Sequence, residues 1–187
     1  RLYERAGVAA IQLEDQVFPK KCGHFEGKQV VSRTEMLERI HAAREARSSE
    51  DGILIIARTD ARAVEGLDAA IERACRYGEA GADICFVEAP QSVEELSTIA
   101  RDVPFPQLAN MLPGGVTPIV SAEDLEQSGF RIVVDPVATL LATGHIVRQL
   151  AHALLNEGRV DHLSSQMLDF DDVKQLLGLD EDSGGIR

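Results

Sequence analysis

Ile53-Leu54-Ile55-Ile56-Ala57 is an unbroken apolar run, and Arg58-Thr59-Asp60 follows it directly. A short β-branched run with no polar alternation reads as a strand buried on both faces, as in parallel sheets. The same pattern recurs on either side: Val8–Leu13 precedes it, and Ile84–Val87, Gln107–Ala109 and Arg131–Val134 follow. Helical patterns separate these runs. Ser32–Arg47 opens on a capping box, Ser32 with Glu35, and sets Met36, Leu37, Ile40 and Ala43 on one face. Leu67, Ala70, Ile71 and Ala74 form the next stripe. Ser92 with Glu95 opens a third helix carrying Val93, Leu96 and Ile99, and Ser121 with Asp124 caps a fourth before Leu125. Val147, Leu150, Ala151 and Leu154 mark a longer helix, and Val173, Leu176 and Leu177 a short last one.

Strand alternating with helix predicts a parallel sheet with helices outside it, either an open doubly wound sheet or a (β/α)8 barrel. The polar residues favour the barrel. Glu14 and Asp15, then Arg58 and Asp60, then Glu88, Asn110 and Asp135 follow successive strands. A barrel gathers the carboxyl ends of all its strands on one face, where its active sites are built. An open sheet concentrates such groups at one switch point, and no Gly-rich phosphate loop follows any strand. The pattern supplies five strands of the eight a barrel needs, so three strands are expected before Arg1. The expected layout is one incomplete barrel domain over 1–187. It comprises a strand in 1–14, a catalytic or gating loop over 15–31, βα units over 32–135, C-terminal helices over 136–179 and a frayed acidic tail over 180–187.

The 187 residues match one ordinary domain, with 44% apolar and 27% charged residues, enough for a packed core. Lys and Arg number 19 against 31 Asp and Glu, a net charge of −12, which argues against nucleic acid or an anionic membrane surface as partner. No apolar run approaches the roughly 20 residues of a spanning helix, and no signal-peptide pattern precedes Ala9. Cys22, Cys75 and Cys85 make no disulfide framework, which points to a reducing, cytoplasmic setting.

Lys20-Lys21-Cys22-Gly23-His24 lies on the long polar link and carries the densest chemistry. A thiol flanked by two ammonium groups and an imidazole is disposed to form thiolate, and Gly23 permits close backbone approach to a ligand. The plain alternative is a free surface cysteine in a basic loop. Cys75 and Cys85, on a helix and in an apolar strand, read as packing thiols. Glu14 and Asp15 point to opposite faces of the first strand. Together they could hold a hard divalent cation; otherwise one is solvated and the other a structural cap. Arg58 suits bidentate binding of a carboxylate, Glu88 suits pairing with it from the next strand, and Asn110 offers a donor and an acceptor. Each is also compatible with a structural role alone. Asp60 and Asp135 read as loop-capping groups, and His41, His145, His152 and His162 as surface residues of helices or their flanks.

Leu13-Glu14-Asp15-Gln16, Lys20 to His24, Ala57-Arg58-Thr59-Asp60 and Leu108-Ala109-Asn110 resemble, in order and spacing, the isocitrate lyase and phosphoenolpyruvate mutase superfamily. The resemblance covers nearly the whole chain. Its Lys-Lys-Cys-Gly-His segment is that of the carbon–carbon lyase branch, since the mutase and phosphonopyruvate hydrolase branches lack this cysteine. Phe18-Pro19, Phe25-Glu26-Gly27-Lys28, Phe170-Asp171-Asp172-Val173 and Leu177-Gly178-Leu179 look most like 2-methylisocitrate and 2,3-dimethylmalate lyases. Gln12 departs from the His that many 2-methylisocitrate lyases carry.

The resemblance implies a (β/α)8 barrel, a homotetramer with a swapped C-terminal helix, and cleavage of a small 2-hydroxy di- or tricarboxylate to pyruvate or glyoxylate plus a second carboxylate. It implies Mg2+, with Mn2+ as a substitute. Glu14 would belong to the metal shell through a water, and the direct aspartate ligands would lie on strands before Arg1. It makes Cys22 the general acid on a closing loop and puts Gly23 and His24 on a substrate carboxylate. Lys20, Arg58, Glu88 and Asn110 would line the pocket, with His24 and Arg58 also in the catalytic set. An oxaloacetate-cleaving hydrolase or decarboxylase is the nearest alternative. A truncated, non-catalytic chain covered on its open flank by another chain is the alternative of a different class.

Overall fold

Each apolar run expected to be a strand forms one, within a residue or two at its ends. In the computed structural model, which describes residues 1–49 and 52–179, the strands are β1 (Ala10–Glu14), β2 (Leu54–Thr59), β3 (Ile84–Val87), β4 (Leu108–Asn110) and β5 (Ile132–Val134). The helices are α1 (Leu2–Arg5), α2 (Arg33–Ala46), α3 (Leu67–Glu79), α4 (Val93–Asp102), α5 (Ala122–Ser128), α6 (Ala138–Glu157) and α7 (Phe170–Leu176). Residues 1–14 are thus not strand throughout, since a helical turn precedes β1. The expected frayed tail, 180–187, lies outside the described residues. Among the described residues no helix is long and apolar enough to cross a membrane.

β1, β2 and β3 pair in parallel in that order, and β4 pairs in parallel with β5. A parallel bridge between Cys85 and Gln107 links the two sheets. Strand neighbours therefore follow chain order, with no reversal that would create a switch point. The side-chain period of two divides the sheet into two faces. On one, Ile55 and Ala57 pack with Met36, Ile40 and Tyr77 of α2 and α3, and Cys85, Val87 and Ala109 pack with Ala74, Leu96, Ile99 and Leu125 of α3, α4 and α5. On the other, Ile84, Phe86 and Leu108 meet Ile56, Ile132 and Val134 in a cluster drawn from strands alone. This inner face carries the site.

The caps form by half. Ser32, Ser92 and Ser121 accept from the backbone N–H groups of Glu35, Glu95 and Asp124, as the sequence suggests. The reciprocal carboxylate bonds are absent from the first two, because Glu35 turns to Arg39 and Glu95 to Arg62. A full capping box occurs instead at α7, between Asp169 and Asp172. The described residues fall into two compact units, divided at 136/137 where the βα alternation ends. In the second unit the expected stripe of α6 is displaced: Ala153 is buried, whereas Val147 and Leu154 are exposed.

Candidate active site

Register places the first two polar groups side by side, since Glu14 at the end of β1 is the direct partner of Arg58 on β2. Arg58, Glu88 and Asn110 then fall on the inner face at the carboxyl ends of β2, β3 and β4. The Arg58 guanidinium lies 5.3 Å from the centroid of the Phe86 ring beside it. It donates from Nε and Nη2 to the two oxygens of Asp60, at 2.8 and 3.0 Å. Its Nη1 faces Glu88 Oε2 at 3.5 Å and its Nε lies 3.9 Å from Glu14 Oε2. Burial works against the Arg58 charge, but Asp60, Glu88 and Glu14 outweigh it and raise its pKa. Asp60 is likewise penalised by burial, yet Arg58 and Lys28 hold it below the usual carboxylate range.

Asp60 is consequently no loop cap. It is fully buried, it receives Lys28 Nζ at 2.9 Å as well as Arg58, and its own N–H donates to Asp15 Oδ1 at 2.9 Å. Lys28 and the buried role of Asp60 escaped the sequence reading, although Lys28 four residues past His24 was visible as part of the family-like segment.

Glu14 and Asp15 do part company across β1, as the alternation predicts. Glu14 meets Lys20 Nζ at 3.2 Å on the inner rim. Asp15 turns to the helical side, where Thr59 Oγ1, the Asp60 N–H, Tyr77 Oη and Arg73 Nη1 all donate to it. Burial nevertheless raises its pKa. Asp15 is therefore structural, and the paired-carboxylate cation site is not formed.

The link over 15–31 is pinned at its base by an antiparallel bridge between Gln16 and Val30 and by Val31 N–H donating to Asp15 O at 2.8 Å. Its tip folds down onto the inner rim. His24 is 5% exposed at its side chain, with Nδ1 accepting from the Val116 N–H at 3.0 Å and Nε2 lying 3.1 Å from Glu88 Oε1. Accepting at Nδ1 places the hydrogen of the neutral ring on Nε2, which then donates to Glu88. Burial, then the Lys28 and Arg58 charges, lower the pKa of His24 and keep it neutral. Burial raises that of Glu88. Glu88 Oε1 also accepts from Asn110 Nδ2 at 3.2 Å. Glu88 Oε2 and Asn110 Oδ1 are buried without a hydrogen-bond partner among the described residues.

Gly23 is buried where a Cβ would stand 2.5 Å from Arg58 Nη2 and collide with the Glu88 carboxylate, so this closeness requires glycine. Cys22 next to it is exposed. The polar side chains flanking it in sequence are engaged elsewhere: the Lys20 ammonium on Glu14, the Lys21 ammonium on the Glu26 and Gly27 carbonyls, and the neutral His24 ring on Glu88. Cys85 is buried, its pKa pushed up to about 12 by burial, and is inert. His41, His145, His152 and His162 are exposed. Sequence-predicted Glu14, Lys20, Gly23, His24, Arg58, Glu88 and Asn110 are thus linked on one rim, with Cys22 adjoining through Gly23.

Parallel βα units with a polar inner rim and a loop folded over it define an α/β protein of the kind whose site sits at the carboxyl ends of its strands. The phosphoenolpyruvate phosphomutase family profile matches residues 1–155, and the chain belongs to the phosphoenolpyruvate mutase/isocitrate lyase superfamily. It is 44% identical over 181 residues to 2,3-dimethylmalate lyase of Eubacterium barkeri, covering 97% of this chain and 62% of that protein. It is 43% identical over 178 residues to 2-methylisocitrate lyase of Aeropyrum pernix, covering 95% and 57%. The crystal structure of a 2,3-dimethylmalate lyase superposes with a TM-score of 0.85 at 33% identity, over 99% of this chain and 65% of that one. Oxaloacetate acetylhydrolase with 3,3-difluorooxalacetate gives 0.81 at 33% identity, over 98% and 64%. Phosphonopyruvate hydrolase, solved with oxalate and Mg2+, gives 0.75 at 26% identity, over 94% and 61%. The chain spans under two-thirds of the length of these relatives.

Proposed function

We propose that the protein carrying this chain is a carbon–carbon lyase that cleaves a small 2-hydroxy di- or tricarboxylate, of the 2-methylisocitrate or 2,3-dimethylmalate kind, to pyruvate or glyoxylate and a second carboxylate. The names of the relatives support the reaction class. The observation that carries it here is unspent hydrogen-bonding capacity beneath the loop: among the described residues Glu88 Oε2 and Asn110 Oδ1 are buried on the inner rim without hydrogen-bond partners, beside an Arg58 guanidinium whose Nη1 lies 3.5 Å from Glu88 Oε2. A hydroxy acid supplies the matching groups, a carboxylate for the guanidinium and a hydroxyl for the acceptors.

In this reading the 2-hydroxyl passes its proton to the buried Glu88 carboxylate, whose Oε2 is an open acceptor, and becomes a carbonyl as the C–C bond cleaves, leaving the bonding electron pair on the departing carbon. The Cys22 thiol then protonates that carbon as general acid. His24, neutral and held by Val116 and Glu88 through both ring nitrogens, positions the Cys22–Gly23 peptide, and its ring would reach a substrate carboxylate only by exchanging the Glu88 contact for it. The loop excludes water from the carbanion-like product. Arg58, braced by Asp60, binds the carboxylate or the reacting oxygen.

The strand order and the coverage of the relatives support a (β/α)8 barrel whose other strands belong to the length not spanned. Mg2+, or Mn2+ in its place, belongs to the same proposal. The residues present do not fit a complete cation site. Among the described residues no three or more His, Cys, Asp or Glu side chains are placed to hold a metal. Asp15 is consumed by buried donors, and Glu14 faces Lys20 and Arg58. Glu14 would contribute only through a water, with the direct ligands on other strands.

The test is a panel of 2-methylisocitrate, 2,3-dimethylmalate and oxaloacetate with the products identified by NMR, for wild type and Cys22→Ser. A hydroxy-acid lyase loses on the order of a hundred- to ten-thousandfold in kcat on losing its general acid. Undiminished turnover in the Ser variant removes Cys22 from the mechanism. Turnover of oxaloacetate alone favours the hydrolase reading, which the oxaloacetate acetylhydrolase likeness supports.

A further inference from the structure

Lys28 is nearly sealed from solvent, its side chain 1% exposed, although Lys is among the residues least often buried. A buried ammonium is tolerated only when paired and hydrogen-bonded. Its pairing here is asymmetric. Nζ donates to Asp60 Oδ1 on the rigid β2 end and, in a very short contact, to the carbonyl oxygen of Gly23 on the loop tip. Lys28 itself belongs to the fixed stem, beside Gln29 and Val30, which pair back to Val17 and Gln16. Asp60 in turn holds Arg58 with both oxygens and is anchored through its N–H to Asp15. One buried carboxylate therefore grips the substrate-facing guanidinium and the ammonium that holds down the Gly23–His24 peptide.

We infer that Lys28 is a positioning residue: its ammonium latches the Gly23 carbonyl and registers the Cys22–Gly23–His24 tip against Arg58 through their shared partner Asp60. The inference rests on the reading of this loop as the carrier of the acid. Lifting the tip requires release of Gly23 and of the His24 contacts, whereas the Lys28–Asp60 pair can stay in place. Lys28 acts through the loop, so its loss falls on the proton-donation step more than on substrate binding.

The experiment compares wild type, Lys28→Met and Lys28→Gln by limited trypsin digestion, scoring cleavage after Lys20 and Lys21 against cleavage elsewhere. When opening is fast, cleavage follows the population of the open loop. Loss of one charge-assisted hydrogen bond predicts roughly a ten- to hundredfold faster loop cleavage in Lys28→Met. The thermal midpoint should be little changed, because Asp60 keeps Arg58. Lys28→Gln, retaining an amide donor, should show a smaller rise, and it carries the test if the Met variant does not fold. Unchanged loop cleavage overturns the inference. So does equal acceleration at sites throughout the chain, which would report unfolding and not loop release. In steady-state kinetics the Met variant should lose kcat with KM nearly preserved; a KM-only defect also overturns it. If wild type cleaves no hydroxy acid, the functional reading fails, while the digestion still decides whether Lys28 holds the tip.

Discussion

At the scale of single residues, the loop tip is held by an imidazole as well as by the Lys28 ammonium. His24 is kept neutral in the folded loop, first by burial and then by the Lys28 and Arg58 charges. Its folded pKa is depressed, so the stability it lends to closure is complete above the unfolded imidazole value. That stability is lost as pH falls through this value toward the folded one. Protonation would also put a hydrogen on Nδ1, the atom that accepts from the Val116 N–H. Loop cleavage by a protease should therefore accelerate as pH falls from about 7.5 to about 5.5, a window bracketing the ordinary imidazole value near 6.5. His24→Gln should flatten that response once protease activity is normalised at each pH. A response of the same size in the variant would assign it to another group.

At the scale of elements, α3 secures the ends of β1 and β2 through a buried polar network. Arg73 Nη1 reaches Asp15, the Val31 carbonyl and Tyr77 Oη, while its other nitrogens clasp Glu65 at 2.7 and 2.8 Å. Because Asp15 also binds Thr59 and the Asp60 N–H, the network on the helical side fixes the strand end that carries the chemistry on the other. Arg73→Leu leaves a buried carboxylate without its cation, a change that typically costs about 3–5 kcal/mol. Urea denaturation should show that loss in midpoint with an unchanged slope. Arg76→Leu, which removes only the exposed pair with Glu79, should cost less than about 1 kcal/mol and serves as the control.

At the scale of the whole molecule, the second unit leaves much of its apolar surface in water. Leu140, Leu155, Phe170 and Leu176 are 69, 86, 79 and 76% exposed. Exposed apolar surface of this extent marks an interface when it is contiguous. The swapped-helix homotetramer expected from the resemblance would supply one. Light scattering on the protein carrying this chain should give the mass of four chains, and Leu155→Glu with Phe170→Glu should lower it. A monomer in wild type would end that assembly reading without touching the site.

The sequence by itself determined the parallel α/β class, the strands, most helix starts and the loop with its cysteine. These depend on local periodicity and capping, which backbone geometry writes into neighbouring residues. It also placed Glu14, Arg58, Glu88 and Asn110 at strand ends, because alternation fixes which side chains share a face. Only the tertiary structure decided that Asp15 is consumed by Arg73 and Tyr77, that Asp60 is buried between Lys28 and Arg58, and that Val116 fixes the His24 tautomer. The partners in these contacts lie 32 to 92 residues apart, apart from Arg58 and Asp60. Whether a charge is solvated or paired depends on what the fold brings against it, and no local spacing encodes that.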